Sequence, residues 1–147
     1  MKAKDLMNPL VLFVYPDDPA RHAVEVMAEQ RVSGLPVVDP QRRLVGVVTE
    51  KDLLLIDEIE DRSCAHWGTE GPDAAAGEAS DRLRVGDVMT KEIIAYGPDD
   101  ELVDIARTIY ERGINRVPIV DAERKVIGLV ARADIIRALA AGKNLRS

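Results

Sequence analysis

Apolar positions along this chain fall into short blocks, and the blocks recur in one order. Residues 10–16 (LVLFVYP) and 92–98 (EIIAYGP) are β-rich runs stopped by Pro, which predicts a strand in each. Ala20, Ala23, Val24 and Met27 then lie at helical spacing, and Leu102, Ile105, Ala106 and Ile109 do the same. The segments LPVVD (35–39) and VPIVD (117–121) predict strands opening at Pro36 and Pro118, where a missing amide is tolerated. Polar turns DPQRR and DAERK follow, then the returning strands LVGVV (44–48) and VIGLV (126–130). A closing helix with an apolar face is expected through Leu53, Leu54 and Ile56, and again through Ile135, Ile136 and Leu139. Each unit therefore reads β-α-β-β-α, prefaced by a short turn or helix at KDLMN (4–8) and VGDVM (85–89).

The two units are near-copies. Asp5-Leu6-Met7 matches Asp87-Val88-Met89, and Pro16-Asp17-Asp18 matches Pro98-Asp99-Asp100. Pro36 matches Pro118, Asp39 matches Asp121, Gly46 matches Gly128 and Asp52 matches Asp134, every pair 82 positions apart. A constant offset over about 50 positions marks an internal duplication. One unit of roughly 50 residues cannot cover its own sheet, so two are expected to pack about a pseudo-two-fold axis as one α+β module. The division expected is repeat one at 1–55, an acidic linker or insertion at 56–82, and repeat two at 83–147.

Composition narrows the class. Aromatic residues make up 3% of the chain against 46% apolar, so the core has to be built from Val, Ile, Leu and Ala. A net charge of −6 argues against a nucleic-acid partner, which needs a basic face. Residues 56–82 hold eight acidic side chains against Arg62 and Arg82, so this segment carries the acidity and the rest is balanced. It reads as a solvated loop, or as a flap that a ligand or partner orders. No run reaches the ~18 apolar residues of a membrane span, and no apolar signal segment follows Met1. The single Cys64 cannot close an internal disulfide, which suits a reducing cytoplasm. Cys64 and His66, with His22 on a predicted helix, fall short of a zinc ligand set, so no metal is expected. Trp67 either anchors the linker or stacks on a bound base. No nucleophile–base pair and no Walker-type loop occurs, so no enzyme is expected.

At GVVTEKD (46–52) and GLVARAD (128–134), preceded by GLPVVD and RVPIVD, the chain resembles a tandem pair of cystathionine-β-synthase (CBS) domains, a Bateman module. The resemblance covers almost the whole chain outside the linker. It implies binding of adenine nucleotides or related adenosyl compounds (AMP, ADP, ATP, S-adenosylmethionine or NAD) in clefts between the repeats, and a regulatory role. It also implies pairing into homodimers. Asp52 is then expected to hold a ribose, since a carboxylate accepts from both hydroxyls, and Thr49 a phosphate at a helix start, with Lys51 beside them. The family's pattern assigns adenine to Val11, Leu12, Gly34, Leu35 and Pro36 in one cleft. In the other it assigns Ile93, Ile94, Arg116, Val117 and Pro118, with Arg132 and Asp134 completing the set. Gly34 permits close backbone approach.

Each assignment has a plainer rival. Thr49-x-x-Asp52 is also a capping box that stabilises a helix by about 0.5–2 kcal/mol with no ligand. At Ala131-Arg132-Ala133-Asp134 the capping hydroxyl is missing while the acid stays, which leans toward ribose binding. That departure weakens phosphate binding there unless Arg132 or Arg116 supplies the charge; Arg132 also reads as an ordinary exposed helix-start residue, and Arg116 as a surface residue. The apolar lining is readable as core, because small pockets and cores share it. The expected function is a stand-alone adenosyl-sensing regulatory module; the alternative is a structural or protein-interaction module that binds no ligand.

Overall fold

The computed structural model describes residues 1–9, 11–56, 58 and 83–146. Within them lie α1 (Ala3–Leu6), α2 (Ala20–Gln30), β1 (Gly34–Val38), β2 (Leu44–Thr49) and α3 (Glu50–Leu53). The second copy supplies α4 (Val85–Val88), α5 (Leu102–Arg112), β3 (Arg116–Val120), β4 (Val126–Ala131) and α6 (Arg132–Ala140). β1 pairs with β2, and β3 pairs antiparallel with β4. The duplication is thus realised as two similar mixed α/β repeats. Cys64, His66, Trp67 and most of the acidic linker lie outside the described residues.

The opening runs are the first departure from expectation. Neither residues 11–16 nor residues 92–98 form a strand; each segment touches its sheet through one parallel bridge, Val14 to Val37 and Tyr96 to Ile119. Val14 N–H donates to Pro36 O at 3.1 Å, and Val38 N–H to Val14 O at 2.9 Å. Tyr96 N–H donates to Pro118 O at 3.1 Å, and Val120 N–H to Tyr96 O at 2.8 Å. Extending either ladder backward would need an amide from Pro36 or Pro118, and extending it forward one from Pro16 or Pro98. Proline has no N–H, so the pairing stops at one residue. The same geometry explains why β1 and β3 start two residues before their prolines: the missing amide faces the opening run, not the paired strand.

The chain gathers into two compact units, and these are not simply its two halves. The first-repeat unit comprises Phe13–Asp39 and Val45–Glu92; the second-repeat unit comprises Met1–Leu12, Pro40–Leu44 and Ile93–Ser147. Each lead helix therefore packs with the opposite copy. In the second-repeat unit Ala3 N–H donates to Asp100 O at 2.8 Å and Leu102 N–H to Met1 O at 2.9 Å. In the first-repeat unit Val85 N–H donates to Asp18 O at 2.8 Å and Ala20 N–H to Leu83 O at 2.8 Å. The turn tip of the first repeat also joins the second-repeat unit, where Leu44 N–H reaches Arg124 O at 3.0 Å and Val126 N–H reaches Arg42 O at 3.1 Å.

Each unit has its own aliphatic core. One is built from Ala3, Leu102, Ile105, Ile109, Val117, Ile119 and Val130 with their neighbours, the other from Val14, Ala20, Ala23, Leu35, Val37, Val48 and Val85. β2 and β4 are not uniformly buried as their apolar runs suggest; buried and half-buried residues alternate along both. Gly46 and Gly128 are sockets in these strands. A Cβ on Gly128 would lie 2.7 Å from Met7 Sδ, and one on Gly46 would lie 2.6 Å from Met89 Sδ. α3 is shorter than the closing helix expected. It has four residues, and Leu54 beyond it is 76% exposed instead of facing a core.

Candidate functional site

The closing aspartates can be built from their local chemistry. Thr49 caps α3, and its N–H donates to Asp52 Oδ2 at 2.9 Å. The Thr49 hydroxyl donates to that same oxygen at 3.2 Å and accepts from Asp52 N–H at 3.4 Å. This is a complete capping box. It also answers why the acid recurs without Thr in the second copy. Ala131 N–H donates to Asp134 Oδ2 at 3.1 Å, so the acid performs its half of the box with no hydroxyl present. The lean toward ribose binding drawn from that recurrence therefore loses its force.

The duplicated Asp residues elsewhere repeat the device. Lys2 N–H donates to Asp5 Oδ2 at 2.8 Å and Arg84 N–H to Asp87 Oδ2 at 2.9 Å. Tyr15 N–H donates to Asp18 Oδ2 at 2.9 Å and Gly97 N–H to Asp100 Oδ2 at 2.6 Å. In all six cases one carboxylate oxygen is spent on the amide three residues back.

What differs is the other oxygen. In the first-repeat unit Asp52 Oδ1 accepts from the Thr90 hydroxyl at 3.3 Å, a long contact shared with Oδ2 at 3.4 Å. Thr90 is fixed against β2 by two backbone bonds, to Val47 O at 2.8 Å and from Val47 N–H at 3.0 Å. In the second-repeat unit Asp134 Oδ1 is paired with the Arg137 guanidinium. Thr90 and Arg137 escaped the sequence reading. Arg137 sits three residues from Asp134, a spacing that permits such a pair; Thr90 is 38 residues from Asp52 and carries no local signal.

Arg116 opens β3 directly opposite Ala131, the cap of α6. Its side chain is half-buried, and its Nε is buried without a hydrogen bond among the described residues. Burial lowers the pKa of the guanidinium, against a smaller opposing pull from Asp134. Arg132 is exposed and sends its N–H to Asn115 O at 2.7 Å.

Of the fifteen residues singled out, Ile93, Ile94, Arg116, Val117, Pro118, Arg132 and Asp134 share the second-repeat unit. Gly34, Leu35, Pro36, Thr49, Lys51 and Asp52 share the first-repeat unit, while Val11 and Leu12 fall in the other one. The side chains of Leu35, Pro36 and Val117 are fully buried, and Leu35 and Val117 belong to the cores. Only their backbone is left for a ligand. Lys51 is exposed. The phosphate role expected of a helix start at Thr49 lacks its helix, since α3 is one turn long and the Thr49 hydroxyl is occupied by Asp52. Among the described residues no three His, Cys, Asp or Glu group as a metal site, and no helix is long and apolar enough to cross a membrane.

A CBS domain model matches residues 3–58 and 85–141. The chain is 34% identical over 146 residues to the CBS domain-containing protein CBSX2, chloroplastic, of Arabidopsis thaliana, covering 91% of this chain and 61% of that protein. It is 32% identical over 136 residues to inosine-5'-monophosphate dehydrogenase of Methanocaldococcus jannaschii, covering 92% of this chain but 23% of the enzyme. The chain thus spans under two thirds of one relative and about a quarter of the other. A crystal structure of CBSX2 in complex with AMP matches with a TM-score of 0.77 at 32% identity, over 97% of this chain and 98% of that one. The CBS domain pair of protein MJ0100, solved with 5'-methylthioadenosine and S-adenosyl-L-methionine, shares the fold with a TM-score of 0.72 at 22% identity, over 97% of this chain and 98% of that one.

Proposed function

The chain belongs to the CBS-domain family, carrying the domain twice, and on that premise we propose that it is a regulatory module that senses an adenosine-containing ligand and performs no chemistry of its own. The observation that carries this reading is its likeness to the AMP complex of CBSX2 across nearly the full length of both chains. Local geometry supports it. Among the described residues one oxygen of Asp52 is engaged only by a long contact from Thr90, which a ribose hydroxyl can replace with a shorter, charge-assisted bond. Gly34, Leu35 and Pro36 contribute backbone beside it, with Thr49 holding the carboxylate in position and Lys51 at the rim. In the second-repeat unit Ile93, Ile94, Arg116, Val117, Pro118, Arg132 and Asp134 form the equivalent set.

A ligand acts as a signal only if it prefers one conformation over another. We take the read-out to be a change at the surface through which two copies pair as a homodimer. Leu54 and Ile136 are equivalent positions, 76% and 59% exposed, and this apolar exposure favours such pairing. The setting is taken as the cytoplasm, where the lone Cys64 stays reduced. One observation favours the rival reading of a ligand-free interaction module: Asp134 has both oxygens engaged, by Ala131 and Arg137.

A thermal-shift panel of AMP, ADP, ATP, S-adenosylmethionine and NAD separates the two. Ligand at 100 times its Kd stabilises by about 2.7 kcal/mol, a melting shift of roughly 5–11 °C for a chain of this size. Silence across the panel favours the interaction module.

A further inference from the structure

We propose that the two candidate sites divide adenosyl ligands by charge: the Arg116–Asp134 site takes a phosphate-bearing nucleotide, and the Gly34–Asp52 site takes an adenosyl compound without phosphate, either uncharged or a sulfonium cation. The proposal rests on the adenosine-sensing reading and adds the ligand class of each site. Its starting point is the pair Gly34 and Arg116, equivalent positions that lie beside the caps of α3 and α6. Nothing in the fold demands glycine at 34. Its backbone is not left-handed, and a Cβ there would meet Val48 O at 3.4 Å and Thr49 Cγ2 at 3.6 Å, both ordinary contacts. The backbone in the second copy carries arginine at the same place. The side chain at this position is free to set what the site accepts.

At Arg116 the chain has placed a half-buried guanidinium whose Nε lacks an acceptor among the described residues. A buried donor left unpaired is costly, and a guanidinium fork matches the oxygens of a phosphate. Among the described residues the acid that acts on Arg116 is Asp134, and its pairing with Arg137 reduces its repulsion of an incoming anion. Position by position the equivalents then diverge. Arg116, Arg132, Ala133, Asp134 and Arg137 stand where the first copy has Gly34, Glu50, Lys51, Asp52 and Leu55. The formal charge of the first set is positive and that of the second negative. Around Asp52 the partners are the Thr49 amide and the hydroxyls of Thr49 and Thr90, all neutral groups that hold the carboxylate without cancelling its charge. Such a site repels a phosphate and favours a cation.

Isothermal titration of the full chain with AMP and with S-adenosylmethionine tests this. One equivalent of each is expected per chain, and protein saturated with AMP should bind S-adenosylmethionine with unchanged affinity. Arg116→Gly should weaken AMP by about 10- to 100-fold, the loss of a charge-assisted contact, while S-adenosylmethionine affinity stays within about twofold. Arg116→Gln keeps the packing and should weaken AMP similarly, which guards against a folding defect in the glycine variant. Gly34→Arg should add a second AMP equivalent and weaken S-adenosylmethionine. Competition between the two ligands for the same equivalents, or AMP affinity unmoved in both Arg116 variants, overturns the charge division and leaves adenosyl sensing intact. Failure of the wild-type chain to bind either ligand overturns both.

Discussion

Asp52 Oδ2 accepts an amide three residues back, and so does Oδ2 of Asp5, Asp18, Asp87, Asp100 and Asp134. Truncating Asp52 therefore removes a helix cap as well as any ligand contact. Asp52→Ala should lower ligand-free stability by about 0.5–2 kcal/mol, measured by denaturant unfolding. Asp52→Asn keeps an oxygen for the Thr49 amide and should retain most of that stability, while abolishing the melting shift given by S-adenosylmethionine. An unchanged ligand shift in Asp52→Asn would remove Asp52 from the site. The sockets offer a second residue-scale test. Gly128→Ala sets a methyl against Met7, and Gly46→Ala sets one against Met89 and the Thr90 carbonyl, 3.1 Å away. Overpacking should cost about 1–3 kcal/mol each, and Met7→Ala should relieve the Gly128→Ala defect in a double-mutant cycle. The recurrence of these Asp, Gly and Met residues was visible in the sequence. Their roles were not, because an amide three residues away and a sulfur far along the chain leave the same trace in a repeat.

Helix ends expose a difference between the copies that single residues do not. α5 ends on Gly113 with φ 64°, and α2 ends on Arg31 with φ 54°, at the equivalent position. A left-handed residue with a Cβ is strained, so Arg31→Gly should raise stability by about 0.5–1 kcal/mol, read from the denaturation midpoint at constant slope. α1 is tied to the turn before α5 by Lys4 and Asp99 at 3.0 Å, for which Gly86 offers no counterpart beside α4. The hydrogen bond and charge of Lys4 hold the Asp99 carboxyl below its ordinary pKa, and Asp99 raises that of Lys4. The Asp99 contribution is present above the ordinary carboxylate range and is lost as pH falls through the lowered value. The Lys4 contribution is lost as pH rises through its raised value. Both groups are exposed, so NMR titration of Asp99 should return to the ordinary range in Lys4→Met or in about 1 M salt, where screening acts within about 3 Å. Elements with strong helical period were legible along the chain. The opening runs were misread as strands because the prolines that forbid them lie partly on the neighbouring strand.

For the whole molecule the governing fact is the exchange of lead segments. Ala3, Leu6 and Met7 complete the core around Ile105 and Val130, whereas Val85, Val88 and Met89 complete the one around Val37 and Val48. A fragment of residues 83–147 retains the wrong lead helix for its own core. As a monomer it should show little cooperative unfolding by circular dichroism, and adding a peptide of residues 1–9 should restore it. A fragment that folds cooperatively alone would refute the exchange as a stability requirement. The sequence by itself determined the duplication, the aliphatic core and the α+β class, because hydrophobic period, proline and repeat offset are properties of neighbours along the chain. Tertiary structure alone decided which lead helix serves which core, that Thr90 reaches Asp52, and that Arg137 pairs with Asp134 while Arg116 keeps a buried nitrogen without a partner among the described residues. Those outcomes depend on distances through space between residues far apart or differently turned, and two copies with the same hydrophobic pattern offer each segment two equally plausible partners.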